Sequence, residues 1–390
     1  MTRQRLLMQT ALLFLSLSIL APPYPMAQTV ERIKCLDGGL VSGSALNSVL
    51  DSALAIPGMA AAEVAVVQDG RIAYDHAGGF LTAGSQVRVS RRTVFRAASL
   101  SKPVFAYLVL RLADEAVLDL DRPLYQYLSR PLSEYPNYAD LAADPRCRAL
   151  TARMALAHTT GFPNWRWQSR DRRLKILFDP GTRFSYSGEG YLYLQFVVES
   201  LTGKGLDELA SEKVFIPLGM EQSSYLWLPR FEGRTALDLA GLPQEFRDKI
   251  RTEANAAGSL FTTATDYARF LQAAMEGKFL QQDTHAGMLR QQIAISAPRL
   301  FGARGPAIPE EVRHGSLAWA LGWGIIRSAI GTAYFHVGAE PGCENYAAYF
   351  VGQKTGYVLL SSGGEFNGVT RYIAPRLIGD GVSPFDWLGY

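Results

Sequence analysis

The chain has 390 residues, with 39 Lys and Arg against 36 Asp and Glu, a formal net charge of +3. That near balance, without a basic stripe interleaved with aromatics, argues against a nucleic-acid partner. A hydrophobic content of 48% and 36 glycines describe an ordinary globular protein with a large core.

Arg3 and Arg5 precede an apolar run over 6–20, followed by Ala21-Pro22-Pro23 and the small Ala27. This is the layout of a secretory signal over 1–27, which leaves 28–390 as a single domain, periplasmic or secreted. The run is short for a membrane span and no stop-transfer segment follows, so no stable span is expected once the signal is removed; the alternative is an uncleaved anchor. Cys35, Cys147 and Cys343 allow one disulfide and a free thiol, and their spacings fit no zinc site.

Residues 41–55 have helical spacing, with Leu46, Val49 and Leu50 on the apolar face. Strands are predicted over 62–67 and 71–74, joined across Gln68-Asp69-Gly70. A helix opening at about Ser99 precedes a mainly helical, loop-rich stretch over 113–309. Within it Thr151 caps 152–158, Gly188 opens 191–201, and Thr265-Asp266 starts 267–275. Strand character returns over 321–327, 332–337, 346–351 and 357–361, and a closing helix over 373–377 follows. Strands at both ends around a helical middle predict an α+β fold. One antiparallel sheet is built from 41–112 and 310–390, with a helical subdomain inserted.

The chemistry concentrates in Ser99-Leu100-Ser101-Lys102, the one S-x-x-K in the chain. Three residues apart at a helix start, Ser99 and Lys102 share a face, the geometry of a serine nucleophile activated by an amine. Pro103 is tolerated only in a first turn, which fixes the helix start. A protonated ammonium cannot accept the serine proton. Either burial and neighbouring positive charge neutralise Lys102, or a third group takes the proton and Lys102 lowers that group's pKa. Tyr186, in Phe184-Ser185-Tyr186-Ser187-Gly188-Glu189-Gly190, is the candidate third group, against the alternative of a packed aromatic.

In these motifs the chain resembles the serine β-lactamase/penicillin-binding-protein superfamily, in its class C-like branch of esterases and D-stereospecific peptidases. Ser99-Leu100-Ser101-Lys102 matches the first motif, Tyr186-Ser187-Gly188 the Y-x-N position, and His336-Val337-Gly338 the K-T-G position in its H-x-G form. Landmarks occur in order, among them 156–163, Pro217-Leu218-Gly219-Met220, Ala257-Gly258-Ser259-Leu260 and Gly322-Trp323-Gly324. The resemblance implies a β-lactamase/transpeptidase-like fold and a serine hydrolase that needs no metal or organic cofactor. Ser99 would form an acyl-enzyme. Tyr186, as a phenolate favoured by Lys102, would take the serine proton and pass it to the leaving group. The oxyanion would lie between the backbone N–H groups of Ser99 and Ala339, donors typically worth ~3–4 kcal/mol each. His336, Gly338, Ser187 and Gly188 would line the substrate site, while His158, His314 and His76 would be structural.

Two departures bear on substrate. Gly188 replaces the motif asparagine and removes a side-chain amide; Glu189 beside it either approaches the site or caps the next helix with its charge at the positive end, the reading favoured here. His336 replaces a lysine that attracts substrate carboxylates, and would be largely uncharged near neutral pH. A literal Lys354-Thr355-Gly356 reads as a hairpin turn rather than a catalytic motif. Asn164-Trp165-Arg166-Trp167 suggests an aromatic-lined cleft with one cation. The expected activity is hydrolysis of a small-molecule ester or amide, with esterase foremost. The alternatives are a D-amino-acid peptidase or DD-carboxypeptidase, a weak β-lactamase, a sensor that acylates without turnover, and a structural relic of the fold.

Overall fold

The computed structural model describes residues 32–237, 242–300, 316–363 and 368–389. The expected signal segment and His314 lie outside them. A short hairpin, β1 (Arg32–Lys34) with β2 (Leu40–Ser42), leads into helix α1 (Gly43–Leu54), whose first turn Ser42 caps by accepting the Ala45 N–H. Then come β3 (Met59–Gln68), β4 (Arg71–Gly79) and β5 (Phe95–Arg96), and helices α2 (Ser101–Asp114), α3 (Ala152–Leu156) and α4 (Gly188–Thr202). After β6 (Phe261–Thr262) and helix α5 (Ala264–Glu276) the chain returns to strands. These are β7 (Ile293–Ala294), β8 (Leu317–Trp319), β9 (Gly324–Ser328), β10 (Gly331–Glu340), β11 (Cys343–Phe350) and β12 (Thr355–Gly363), followed by helix α6 (Val369–Ile378).

Eight strands form one antiparallel sheet in the order β4-β3-β12-β11-β10-β9-β8-β7. The two ends of the chain meet where β3 pairs with β12, Val66 opposite Tyr357. The period of two along β3 sorts its side chains into two cores: Ala61, Ala65 and Val67 face the helical side, whereas Ala62, Val64 and Val66 face α1 and α6. A sheet covered on both faces explains why β3 reads as a nearly continuous apolar run rather than an alternating one. On the helical side α2 is buried from Ser101 to Leu110, the pattern of a helix enclosed on all sides.

Several element boundaries differ from the expectation. Helix α2 begins at Ser101, because Ala98 takes a left-handed φ of 47° and Ala98–Leu100 forms a separate single turn. The segment expected as helix 152–158 stops at Leu156, since His158 has a φ of 57°. Thr263, not Thr265, caps α5. The expected strand 321–327 is interrupted by a turn at Gly322 (φ 85°), with Leu317–Trp319 as a further strand before it. Cys35, Cys147 and Cys343 are all unpaired thiols. Among the described residues no helix is long and apolar enough to cross a membrane, and no group of three His, Cys, Asp or Glu is placed to hold a metal.

Among the buried carboxylates of this frame, Glu63 has no exposed surface. Glu63, mid-strand in β3, accepts the Ala264 N–H at the start of α5 through Oε2 (2.9 Å). Burial, and then the nearby Asp75 and Asp266, push its carboxyl well above the usual carboxylate range, against the Ala264 hydrogen bond. The folded state therefore keeps this proton to higher pH than the unfolded chain. The contribution is full below the unfolded pKa and is lost as pH rises through the folded one. Thermal melts across pH should show wild type losing Tm more steeply on the alkaline side than Glu63→Gln. Parallel curves would contradict this account.

Candidate active site

Ser99 sits in the single turn between β5 and α2, half-buried, directly after the strained Ala98. A non-glycine residue in the left-handed region costs on the order of 1 kcal/mol and persists only when its surroundings over-determine it. Here they do. Ala97 N–H donates to Leu260 O (2.8 Å), and the Ser101 hydroxyl donates to Ala98 O (2.6 Å) while accepting the Leu260 N–H (2.9 Å). Tyr225 and Tyr267 place their hydroxyls on the carbonyls of Ser101 and Leu100.

Lys102, fully buried, points its amine back at this turn. Nζ donates to Ser99 Oγ at 2.9 Å and to the Ala257 carbonyl at 2.7 Å. Burial depresses the amine to about 7, with the Glu340 carboxylate acting in the opposite direction. Nζ lies 4.8 Å from the ring centre of Tyr186 and 5.7 Å from that of Tyr191. Tyr186 is itself buried, which pushes its hydroxyl up; the Ser99 hydroxyl beside it acts to lower it.

The third motif closes the other side. Strand β9 stops pairing with β10 at Phe335, so the β10 edge from His336 to Glu340 is open toward the Ser99 turn. At Gly338 a Cβ would lie 2.2 Å from Ala97 O, so only glycine lets strand and turn approach this closely. Ala339 is the next residue on that edge. His336 is fully buried, its Nδ1 2.7 Å from the Val337 carbonyl, and its Nε2 has no hydrogen-bond partner among the described residues. Burial first, then Lys102, push its imidazole down to about 3, so it is neutral at physiological pH.

The sequence pattern of the family described as beta-lactamase matches residues 46–378. The chain belongs to this family. Its members are serine hydrolases, and relatives differ in the activity they are named for. Penicillin-binding protein 4 of Amycolatopsis lactamdurans is 27% identical over 351 residues, covering 83% of this chain and 86% of the relative. Esterase EstB of Burkholderia gladioli is 29% identical over 207 residues, 46% of this chain and 51% of the relative. A class C beta-lactamase structure superposes with a TM-score of 0.67 at 16% identity, covering 86% of this chain and 95% of that one, a likeness of fold.

Within this beta-lactamase family site, His158 does more than fill space. Its carbonyl accepts the Ser185 N–H (2.8 Å) and its Nδ1 accepts the Ser187 N–H (3.0 Å), gripping the backbone on both sides of Tyr186. The rings of His158 and Tyr186 are 4.3 Å apart. Sequence reasoning assigned His158 a structural role only; the buried contacts that make it a positioning residue are long-range. Ser187 has its hydroxyl committed elsewhere, donating to Pro163 O (2.7 Å) and capping α4 by accepting the Gly190 N–H (3.0 Å). Glu189 lies in the first turn of α4, at its positive end, but the side-chain cap is Ser187. The Glu189 carboxylate binds the Arg166 backbone N–H (2.9 Å) and guanidinium (2.8 Å). Arg166 is thus already paired, rather than the cleft's open cation. Lys354 is exposed in the β11–β12 turn, and half-buried His76 is on β4, its ring beside Tyr74.

At Gly188 a Cβ would meet the distal ring atoms of Trp165 at 2.5, 2.7 and 2.8 Å. The indole fills the room a side chain would need. Gly188→Ala should therefore destabilise the protein by ~1–3 kcal/mol. Trp165→Ala in the same chain should relieve most of that increment, a non-additivity that thermal or denaturant melts of the four variants would measure. Additive effects would mean that the indole does not confine position 188.

Proposed function

We propose that this chain is an exported serine hydrolase that cleaves small, uncharged carboxylic esters through an acyl-enzyme on Ser99. The observation that carries the proposal is the buried amine of Lys102, 2.9 Å from Ser99 Oγ and depressed to about 7. At that distance the neutral form of the amine, a substantial fraction near neutral pH, accepts the Ser99 proton as Oγ attacks the acyl carbon. The family resemblance gave that proton to a Tyr186 phenolate. The raised Tyr186 hydroxyl favours Lys102 as first acceptor, and Tyr186 then relays, giving its hydroxyl proton to the departing alkoxide as it takes one from the Lys102 ammonium. The tetrahedral oxyanion lies between the N–H groups of Ser99 and Ala339. Water then attacks the acyl-enzyme by the same path in reverse, freeing the acid and restoring Ser99.

Two features favour an uncharged ester. His336 is neutral where a cation would attract a substrate carboxylate, and position 188 offers no side-chain amide to a peptide or acylamino group. The match to esterase EstB, half of that protein's length, agrees with this substrate class. The longer match to penicillin-binding protein 4 and a shorter one to a D-aminopeptidase support a second reading, a β-lactam-acylated protein or a D-amino-acid peptidase. Export rests on the Arg3/Arg5 and 6–20 pattern.

Intact mass after a fluorophosphonate probe should show one adduct on wild type and none on Ser99→Ala, and that variant should lose about 10³-fold or more of p-nitrophenyl ester turnover. An adduct on both proteins, or on neither, would refute the assignment of Ser99. D-alanyl amides and nitrocefin run in parallel separate the second reading. The pH profile provides a further check. Lys102 acts unprotonated, so kcat/KM should fall about tenfold per unit as pH drops below about 7 and level off above it. A profile flat from pH 5 to 8 would exclude Lys102 as the base.

A further inference from the structure

Five hydrogen bonds lock the loop carrying Trp165 onto the turn carrying Tyr186. The Ser187 hydroxyl donates to Pro163 O (2.7 Å), Gly188 N–H to Asn164 Oδ1 (2.9 Å) and Glu189 N–H to Asn164 O (3.1 Å). Arg166 returns two, from its backbone N–H to Glu189 Oε1 (2.9 Å) and from Nε to Glu189 Oε2 (2.9 Å). The Glu189 carboxylate is almost fully buried, so the clamp is shielded from water. The loop therefore belongs to the rigid part of the site.

The clamp fixes an indole where the chain has no other side chain to offer. The distal ring of Trp165 abuts Gly188, two residues beyond Tyr186, and Trp165 is only half-buried. Trp167 continues the aromatic surface outward: its ring is stacked on Trp165 at 6.4 Å and 17°, and it is 62% exposed. Large exposed aromatics on a fixed loop beside a reactive group are unusual without a partner surface. The guanidinium between them in sequence is engaged by Glu189 and by the Asn137 carbonyl (2.6 Å), so Arg166 adds no open charge between the two rings.

We propose that Trp165 and Trp167 are the specificity-determining residues of this site and select esters with a flat, apolar group, aryl or similarly planar, next to the scissile bond. This deepens the ester-hydrolase proposal and rests on it. A planar group stacks on an indole face with both surfaces dehydrated, and a small alkyl group covers less of that face. Gly188 is the complement: any side chain there would displace the indole.

The test compares kcat/KM for p-nitrophenyl phenylacetate against p-nitrophenyl acetate, which varies the acyl group, and for phenyl acetate against ethyl acetate, which varies the leaving group. Wild type, Trp165→Ala, Trp165→Phe and Trp167→Ala are assayed alongside the fluorophosphonate adduct on wild type. In Trp165→Ala the preference for the planar substrate should fall about tenfold or more in one series, the size of effect typical of hydrophobic discrimination. Trp165→Phe should recover part of it, and the exposed Trp167→Ala should show a smaller fall in the same series. Should Trp165→Ala fail to fold, the other two variants carry the test. Preferences unchanged in both series, with wild type labelled and active, would overturn the proposal. An unlabelled wild type would instead overturn the hydrolase assignment beneath it.

Discussion

A lysine amine held away from water is the constraint from which the rest of the site follows. Lys102 has no exposed surface, and its hydrogen bonds go to one hydroxyl, Ser99 Oγ, and one carbonyl, Ala257 O. A charged ammonium there forfeits hydration that two neutral acceptors replace only in part, so burial drives the amine toward its neutral form. The same pocket holds His158 and His336, both fully buried and both depressed first by burial and then by Lys102. Three basic groups share one buried space, where Lys102 acts to lower both imidazoles and His336 acts to lower that of His158. Glu340, ion-paired to Arg96 at 2.7 Å, is the acidic counterweight that acts to raise the amine.

Holding such an amine without collapse requires packing on every side, and the fold supplies it from distant parts of the chain. Helix α2 is buried from Ser101 to Leu110, so Lys102 leaves it into packed surroundings. Residues 257–262 grip the Ser99 turn from one side, and Gly338 lets β10 close on it from another. The rings of Tyr186 and Tyr191 lie near Nζ and exclude water, with His158 bracing the backbone around Tyr186. The strain at Ala98 belongs to this arrangement. With both flanks of the turn tied down, the left-handed residue is carried by its neighbours' hydrogen bonds.

The legibility of the sequence follows the range of the interactions. Ser99 and Lys102 were readable because their relation is local, three residues within one helical turn. The sheet was readable because apolar and glycine punctuation marks strands at both ends of the chain. The helix start was misplaced by two residues because Ala98, rather than a glycine, adopts the left-handed conformation, which nothing in its identity announces. Strand β8 is three residues long, too short for a periodic signal. The grip of His158 on residues 185 and 187, the pairing of Glu189 with Arg166 and the fit of Trp165 against Gly188 join segments about 20–30 residues apart through loops, where pattern carries no distance information.

The same accounting explains why the site departs from its motif without losing coherence. Replacing the motif asparagine by glycine deletes polar chemistry, yet the space does not pass to water. The Trp165 indole occupies it, and the loop bearing that indole is fastened to the turn carrying Gly188. Together with a neutral His336 and an Arg166 already bound by Glu189, the change removes each fixed polar anchor from this side of the cleft. Recognition there falls to shape and apolar contact, which discriminate between similar groups by modest factors and tolerate variety. On the proposed reading, polar precision is concentrated at Ser99, Lys102 and Tyr186, where the reaction would need it, and the surrounding wall would sort substrates by flatness.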